Sequence, residues 1–344
     1  MNSDIRDLTR AELEARLSAL GEKPLHAAAV FASLYKDGAG SFAAMARVPA
    51  RLRRLLEREF SIPPFKSPET LVSAADGTRK LLFSFPGGAP AESVVLPGKG
   101  RLSACLSSQS GCACGCSFCA TGEMGLVRDL RPSEITAQYA ACLRAAGGPL
   151  SSLVFMGMGE PFLNWENVKK SVSILSDGSG FAFSQGKMTV STVGVVPVIR
   201  ELASSGLKVR LAVSVVAADE RLRGRLVPME ARYPLKEIID AVRDYCRARG
   251  AQVFFEYIIF DGVNDSAEDA GRLARLIKDI PCRLNLIPHN PPGGPGAGVT
   301  ARAKSFQKAM IAAGVRTYLR LEKGPDISAA CGQLAARRRG SARG

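Results

Sequence analysis

Apolar positions recur at helical spacing in the first 65 residues of the chain. The segment 11–17 places leucines four residues apart, and the segment 48–60 repeats apolar positions at the same period with Pro49 near its start. The glycines of the segment 37–40 predict a turn between two helices. The pattern predicts a helical N-terminal module over residues 1–65.

Period-two alternation replaces the helical pattern after this module. Three short β-rich runs, 69–73, 78–85 and 92–96, are separated by Asp76-Gly77 and Gly87-Gly88, which are typical of hairpin turns. Residues 66–101 are therefore predicted to form a short antiparallel β segment that leads into the core.

From residue 102 onward, six β-rich runs alternate with helical stretches: 104–106, 153–156, 188–191, 211–214, 254–259 and 284–287. Strands connected by helices form parallel sheets, so the alternation predicts an α/β fold, a partial (βα)6 barrel over residues 102–334. Functional sites of such folds lie at the carboxyl ends of the strands.

The chemically distinctive residues follow those strand ends. The turn 157–161, Gly-Met-Gly-Glu-Pro, follows the second strand, Ser191 and Ser214 close the third and fourth, and Asn290 follows the sixth. The glycines of the turn 157–161 would let a ligand approach the backbone, and Glu160 could hold a cationic amine. Asn290 could bind a nucleoside. Each of these features also occurs in ordinary turns and loops, so the interpretation depends on their coming together.

The strongest single motif follows the first strand. Cys112, Cys116 and Cys119 have the spacing C-x3-C-x2-C, whereas Cys114 is surplus to it. Three thiolates can hold a 4Fe-4S cluster and leave one iron open for an exchangeable ligand. A zinc site would need a second ligand pair, but the remaining cysteines are scattered singly. A disulfide knot would need an oxidising compartment, whereas residues 1–6 lack the apolar run of a secretory leader and a reducing cytosol is expected. The spacing favours the cluster.

Composition is compatible with one large domain and an appendage. The chain has 344 residues, a net charge of +14 and a pI near 9.6. This excess of Lys and Arg suits a polyanionic partner, although charge alone does not separate a nucleic-acid-binding protein from a merely basic one. No stretch is apolar enough to span a membrane, and the protein is expected in the cytoplasm.

Together these motifs resemble the RlmN/Cfr family of RNA adenosine methyltransferases within the radical S-adenosylmethionine (SAM) superfamily. The matching stretches follow the family's order between residues 76 and 334: 76–80, 92–94, 105–112, 157–161, 227–228, 285–291 and 326–334. The resemblance implies a radical-SAM barrel with one 4Fe-4S cluster, and an N-terminal module that contacts RNA.

In that family one cysteine, which corresponds here to Cys331, is methylated by one SAM molecule. A second SAM is cleaved at the cluster, and the resulting 5′-deoxyadenosyl radical activates the methyl group for addition to adenine. The resemblance then implies that Cys105 attacks the sulfur of Cys331 and releases the methylated base, leaving a transient disulfide. Glu92 matches the family's base, although by itself it could be a surface carboxylate.

The resemblance also implies the cofactor contacts and partners. Gly159 and Glu160 would hold the methionyl amine, Ser191 and Ser214 the carboxylate and ribose, and Asn290 the nucleoside. The expected substrate is an adenosine of large-subunit rRNA, with tRNA as a further candidate. The expected electron donor is a flavodoxin or ferredoxin, and the protein is expected to be a monomer that does not bind membranes.

Several positions depart from the family pattern. Val215-Val216 replaces a Leu-His pair, Glu230 replaces an asparagine, and Lys323 replaces an arginine. These changes leave the target carbon open: C2 of adenine is favoured, and C8 is the alternative. A non-catalytic iron-sulfur RNA-binding protein and a radical SAM enzyme for a small molecule also stay open. The basic tail 335–344 could add phosphate contacts.

Overall fold

The computed structural model describes residues 2–291 and 298–335. The helices of these residues are α1 Arg10–Ala19, α2 His26–Phe31, α3 Ala50–Glu59, α4 Ala120–Glu123, α5 Pro132–Ala146, α6 Trp165–Ser176, α7 Val196–Ser204, α8 Glu220–Leu226, α9 Leu235–Arg249, α10 Ala267–Leu276 and α11 Ala301–Ala312. The strands are β1 Ser3–Asp4, β2 Phe60–Ser61, β3 Glu69–Val72, β4 Arg79–Phe85, β5 Ala89–Gly98, β6 Arg101–Cys105, β7 Gln109–Gly111, β8 Leu126–Asp129, β9 Ser152–Phe155, β10 Met188–Thr192, β11 Arg210–Ser214, β12 Val253–Ile259, β13 Cys282–Pro288 and β14 Thr317–Leu319.

One sheet organises most of the chain, with the strand order β14-β13-β12-β11-β10-β9-β6-β5-β4-β3. The strands from β6 to β14 in that order are parallel, and β5, β4 and β3 continue the sheet antiparallel. The six predicted parallel strands and the α/β fold are confirmed. The structure adds a seventh parallel strand, β14, which is only three residues long and therefore carries little sequence signal.

The antiparallel strands do not form a sheet of their own. They are in register with the barrel strands, since Val94 of β5 lies opposite Cys105 of β6. The segment predicted to lead into the core is thus part of the wall that surrounds the site.

The main core lies between this sheet and its helices. Val253, Phe255, Tyr257 and Ile259 alternate along β12 and are fully buried or nearly so. Helix α5 packs against β4, β5 and β6. It begins at Pro132, whose fixed φ suits the first turn, and ends at Gly147 in the left-handed region.

The N-terminal module has a core of its own, in which Leu13, Leu17 and Phe31 are buried. The two predicted helices correspond to α1 and α3, and α2 is an additional short helix between them. The module docks on the end of α6: Ile174 enters its core, and the guanidinium Nε of Arg10 lies 2.7 Å from a carboxylate oxygen of Asp177.

Within the described residues, no helix combines the length and the apolar character needed to cross a bilayer. The predicted basic tail lies outside the described residues, apart from its first residue.

Candidate active site

A single cavity lies at the carboxyl ends of the parallel strands, where the sequence places the distinctive residues. It brings together nine of the predicted site residues: Cys112, Cys116, Cys119, Gly159, Glu160, Ser191, Ser214, Asn290 and Cys331. Two predicted residues, Cys105 and Glu92, are not part of its lining and lie behind the segment that carries Cys331.

The cysteine loop is held by the two-stranded sheet of β7 and β8 and by close backbone packing. Gly111 has a positive φ, and a Cβ there would come within 1.9 Å of the carbonyl oxygen of Gly125. A Cβ at Gly122 would lie 3.0 Å from the backbone of Cys116. These two glycines are therefore needed for the loop to close tightly on itself.

The thiols of this loop have different electrostatic environments. The side chain of Cys114 hydrogen-bonds to Cys112, which lowers the pKa of Cys112 and raises that of Cys114. Burial raises the pKa of Cys116 to about 12. The hydrogen bond therefore favours Cys112 as the thiolate and Cys114 as the protonated thiol, in line with the three-cysteine motif.

The donor set fits an iron-sulfur cluster. Thiols are the usual ligands of such clusters, and the cysteine loop packs among apolar side chains, including Val216, Val227 and Phe118. Phe118 lines the cavity and makes an edge contact with Phe260. In the described part of the chain, no three His, Cys, Asp or Glu side chains are placed so that together they could hold one metal ion. A cluster needs no such arrangement, because each of its ligands binds a different iron.

Glu160 is buried at the cavity wall with its carboxylate oriented by the backbone. Its two oxygens accept hydrogen bonds from the amides of Phe162, at 3.0 Å, and Val193, at 2.8 Å. Burial raises its pKa to about 7. The side chain of Thr192 is a third hydrogen-bond partner of this carboxylate. A carboxylate has about four acceptor positions, so one is left for a cationic ligand group.

Gly159 is required beside this carboxylate for steric reasons. Its φ is +94°, and a Cβ there would lie 2.5 Å from the Cβ of Gln109. The side-chain oxygen of Gln109 in turn accepts the backbone amide of Glu160 at 2.8 Å. The sequence identified this glycine as a place of close approach, and the structure shows that part of the approach is to Gln109.

The loops that follow Ser191 and Ser214 are held together by a residue that the sequence analysis did not identify. Arg223 is fully buried, and its guanidinium donates to the carbonyl of Val215 at 3.0 Å and to that of Val193 at 2.6 Å. It also forms a buried ion pair with Glu230. The sequence feature that could have indicated this buried pair is Glu230, an acidic residue at a position where the family pattern has asparagine.

The segment 324–334, here called the Cys331 segment, closes one side of the cavity. The amide of Ala120 donates to the carbonyl of Gly332 at 2.8 Å, and the hydroxyl of Thr121 donates to that of Leu334 at 2.6 Å. Asn290, predicted to bind the nucleoside, donates to the carbonyl of Cys331 at 3.5 Å. The segment is thus attached to the cysteine loop itself.

Cys331 is exposed to solvent and lines the cavity. The protein atoms around the cavity nevertheless partly desolvate its thiol. Burial raises the pKa of its thiol, and the charge of Glu256 raises it further.

Glu256 is a second site residue that sequence analysis missed. It lines the cavity, accepts a hydrogen bond from Asn285 at 2.8 Å, and has a pKa that burial raises to about 7.

Cys105 and Glu92 lie on the strands behind the Cys331 segment. Cys105 is buried in an apolar cluster with Met158, Ile327 and Ala329, so two of its neighbours belong to that segment. Glu92 is fully buried rather than a surface carboxylate, with one oxygen 3.6 Å from the ammonium of Lys80.

Comparisons with known proteins match this architecture along the chain. Residues 106–274 match the model of the Radical SAM superfamily. Residues 3–62 match that of the ribosomal RNA large subunit methyltransferase N-terminal domain. The first match covers barrel strands β9 to β12 with the cysteine loop, and the second covers the N-terminal helical module.

Curated relatives align over nearly the whole chain. A dual-specificity RNA methyltransferase RlmN of Anaeromyxobacter dehalogenans is 41% identical over 97% of this chain and 92% of the relative. A probable dual-specificity RNA methyltransferase RlmN of Moorella thermoacetica is 43% identical over 96% of both chains. The crystal structure of a radical SAM methyltransferase from Sphaerobacter thermophilus superposes with a TM-score of 0.89 at 42% identity, covering 97% of this chain and all of that one.

Proposed function

The chain belongs to the RlmN family of radical SAM RNA methyltransferases, and we propose that it methylates C2 of an adenosine in large-subunit rRNA and in tRNA. It is an RNA methyltransferase that uses SAM and a 4Fe-4S cluster. The dual specificity in the names of its relatives supports both RNA classes.

The observation that carries the proposal is the common cavity. The three motif cysteines, Glu160 and Cys331 all line it, although Cys331 is far from the others in sequence. A cluster held by the three thiols and a methyl group held on Cys331 would therefore share one enclosed space. A structural iron-sulfur cluster would not require a reactive thiol at this place.

The cofactors would be held by residues from five strand ends. Cys112, Cys116 and Cys119 would ligate the cluster, Gly159 and Glu160 would bind the amine of SAM, and Ser191, Ser214 and Asn290 would bind its remaining polar groups. The bound cofactors supply a methyl group for Cys331 and the radical that activates it. We propose that one turnover uses two SAM molecules.

The protein's own residues would then complete the transfer. Once the former methyl carbon joins Cys331 to the adenine ring, Glu92 would take the ring proton, and the unpaired electron left by the radical addition would return to the bound cluster, which restores the aromatic ring. The Cys105 thiolate attacks the sulfur of Cys331 and forms the disulfide, the carbon–sulfur bond breaks, and the released carbon keeps the electron pair and takes up a proton. The apolar cluster around Cys105 keeps water away from this exchange.

The net charge of +14 suits an RNA partner, because phosphate contacts release counterions. The target base must leave the stack to reach Cys331, as in other enzymes that modify a base. We propose that the N-terminal module contacts this RNA, that a flavodoxin or ferredoxin supplies electrons, and that the protein acts as a monomer.

The test is a reaction of the reconstituted protein with rRNA fragments and with tRNA, a reductant and methyl-labelled SAM. Nucleoside digestion followed by chromatography should give labelled 2-methyladenosine from both RNAs, and the Cys331→Ala variant should give none. Labelled 8-methyladenosine would overturn the C2 assignment. Absence of any labelled adenosine, with the cluster intact, would overturn the enzyme assignment.

A further inference from the structure

Lys80 lies in a row of residues that crosses the sheet behind the Cys331 segment. It is opposite Val94 on β5, and Val94 is opposite Cys105 on β6. Residues directly opposite each other on neighbouring strands share one face of a sheet, and so do residues two apart on one strand. Lys80, Glu92 and Cys105 therefore all point toward the same side.

The ammonium group of Lys80 has two partners on that side. It lies 3.6 Å from a carboxylate oxygen of Glu92, and it donates to the carbonyl oxygen of Ser328 at 3.3 Å. Ser328 belongs to the Cys331 segment and has a positive φ of 51°. One buried cation thus contacts both the proposed base and the backbone three residues before the proposed methyl carrier.

A buried lysine in this position needs an explanation. Lys80 is 4% exposed, although lysine is almost never fully buried unless it is paired. Replacing a buried ion pair by apolar residues often costs a protein no stability, so the pair by itself is weak evidence for a stabilising role. Its two contacts instead define the position of Glu92 relative to the Cys331 segment.

Resting on the proposed function, we propose that Lys80 is a positioning residue that sets the distance between the carboxylate of Glu92 and the sulfur of Cys331. The reaction requires Glu92 to reach a ring attached to that sulfur, and proton transfer is sensitive to sub-ångström placement. Without the ammonium of Lys80, Glu92 on β5 and Ser328 in the Cys331 segment lose the cation that both of them contact. Loss of Lys80 should therefore stall the reaction after the ring is attached.

The experiment compares covalent RNA–protein adducts in reconstituted Lys80→Met, Lys80→Arg, Glu92→Gln and Cys105→Ala variants by denaturing electrophoresis and peptide mass spectrometry. We expect Lys80→Met and Glu92→Gln to accumulate the adduct on Cys331 at least severalfold over the wild type, as Cys105→Ala does. Lys80→Arg keeps a cation and should accumulate less. A merely structural lysine would change the melting temperature but not the proportion of adduct.

Lys323 offers a matched control. Lys323 directly precedes the Cys331 segment and lies 3.5 Å from a carboxylate oxygen of Asp76, in the turn between β3 and β4, so this ion pair does not involve Glu92. Lys323→Met should leave the proportion of adduct at the wild-type level. If Lys80→Met forms no adduct while Cys105→Ala does, the inference about Lys80 is wrong. If Cys105→Ala also forms none, the proposed function itself fails.

Lys80→Met alone could misfold because it removes a cation beside a buried carboxylate, and a second comparison covers that case. The double variant Lys80→Met/Glu92→Gln removes both charges of the pair. Deuterium uptake of the Cys331 segment should be faster in the double variant than in Glu92→Gln, since only the former loses the bond to Ser328. Equal uptake would overturn the inference without any reference to catalysis.

Discussion

Cys105 lies behind Cys331, close enough that the charge of Cys331 adds to the effect of burial in raising the pKa of the Cys105 thiol. The two residues come from the first barrel strand and from the segment that follows the last one. A transient disulfide requires the two thiols to come together, and the folding back of the Cys331 segment over the sheet packs Ile327 and Ala329 of that segment against Cys105.

Replacing Cys105 by alanine should trap the protein on its RNA. Without the attacking thiol, the bond between Cys331 and the base has no thiol to break it, so most turnovers should end in a covalent adduct. The buried cysteine of α5 is the matched control: Cys142→Ala also removes one buried thiol, but one outside the site. Released methyladenosine from Cys105→Ala at the rate of Cys142→Ala would contradict the assignment.

The three motif cysteines should differ sharply from Cys114 in iron binding. Alanine at Cys112, Cys116 or Cys119 removes a proposed ligand, so the variants should lose most of the roughly four irons expected per chain. Cys114→Ala should retain them, since its thiol only hydrogen-bonds to Cys112. Iron analysis and Mössbauer spectra measure the difference, and equal iron loss in all four variants would show that Cys114 is also a ligand.

Glu256 should make the metal-free protein less stable at alkaline pH. Burial raises its pKa from the ordinary 4.5 to about 7 in the folded protein, so the folded state binds its proton more tightly than the unfolded state does. This contribution to stability is fully present below about pH 4.5 and is lost as the pH rises through about 7. Glu256→Gln should therefore raise the melting temperature more at pH 8 than at pH 5, and an equal change at both would refute the assignment.

The same substitution should make Cys331 more reactive. The negative charge of Glu256 raises the pKa of the Cys331 thiol, so its removal should lower that pKa. Alkylation by iodoacetamide can be followed on the tryptic peptide 324–337, in which Cys331 is the single cysteine. Faster alkylation of this peptide in Glu256→Gln at pH 8 is the expected result, and unchanged alkylation would show that the two groups do not interact.

Glu230→Ala should destabilise the fold by roughly 3–5 kcal/mol, because it leaves the buried charge of Arg223 without its carboxylate. Asp240, whose exposed carboxylate pairs with Lys236 and Arg243, is the control, since Asp240→Ala should cost about 1 kcal/mol or less. Denaturant unfolding measures both values. SAM affinity should also fall in Glu230→Ala, because Arg223 holds the loops after Ser191 and Ser214. A small effect on unfolding would mean that water replaces the lost carboxylate.

Features confined to short stretches of the chain can be predicted from the sequence, because the residues that form them are already neighbours. The cluster loop spans eight residues, so the spacing of its cysteines alone brings the thiols together. The six parallel strands and the glycines beside Glu160 were likewise evident from local pattern and turn chemistry. Glu92 and Cys105 came from family resemblance, because a single carboxylate or cysteine on a strand carries no local signal.

The sequence by itself determined the barrel, the cysteine loop and the family, because hydrophobic periodicity and motif spacing are local properties of the chain. Only the tertiary structure decided that Glu256 and Cys331 line the same cavity, that Arg223 and Glu230 form a buried pair, and that Lys80 contacts both Glu92 and Ser328. The contacts of Lys80 depend on the register of β4 and β5 and on how a distant segment packs over the sheet. A lysine and a glutamate that would be solvated in most strands are buried here because they pair across neighbouring strands and the Cys331 segment covers them.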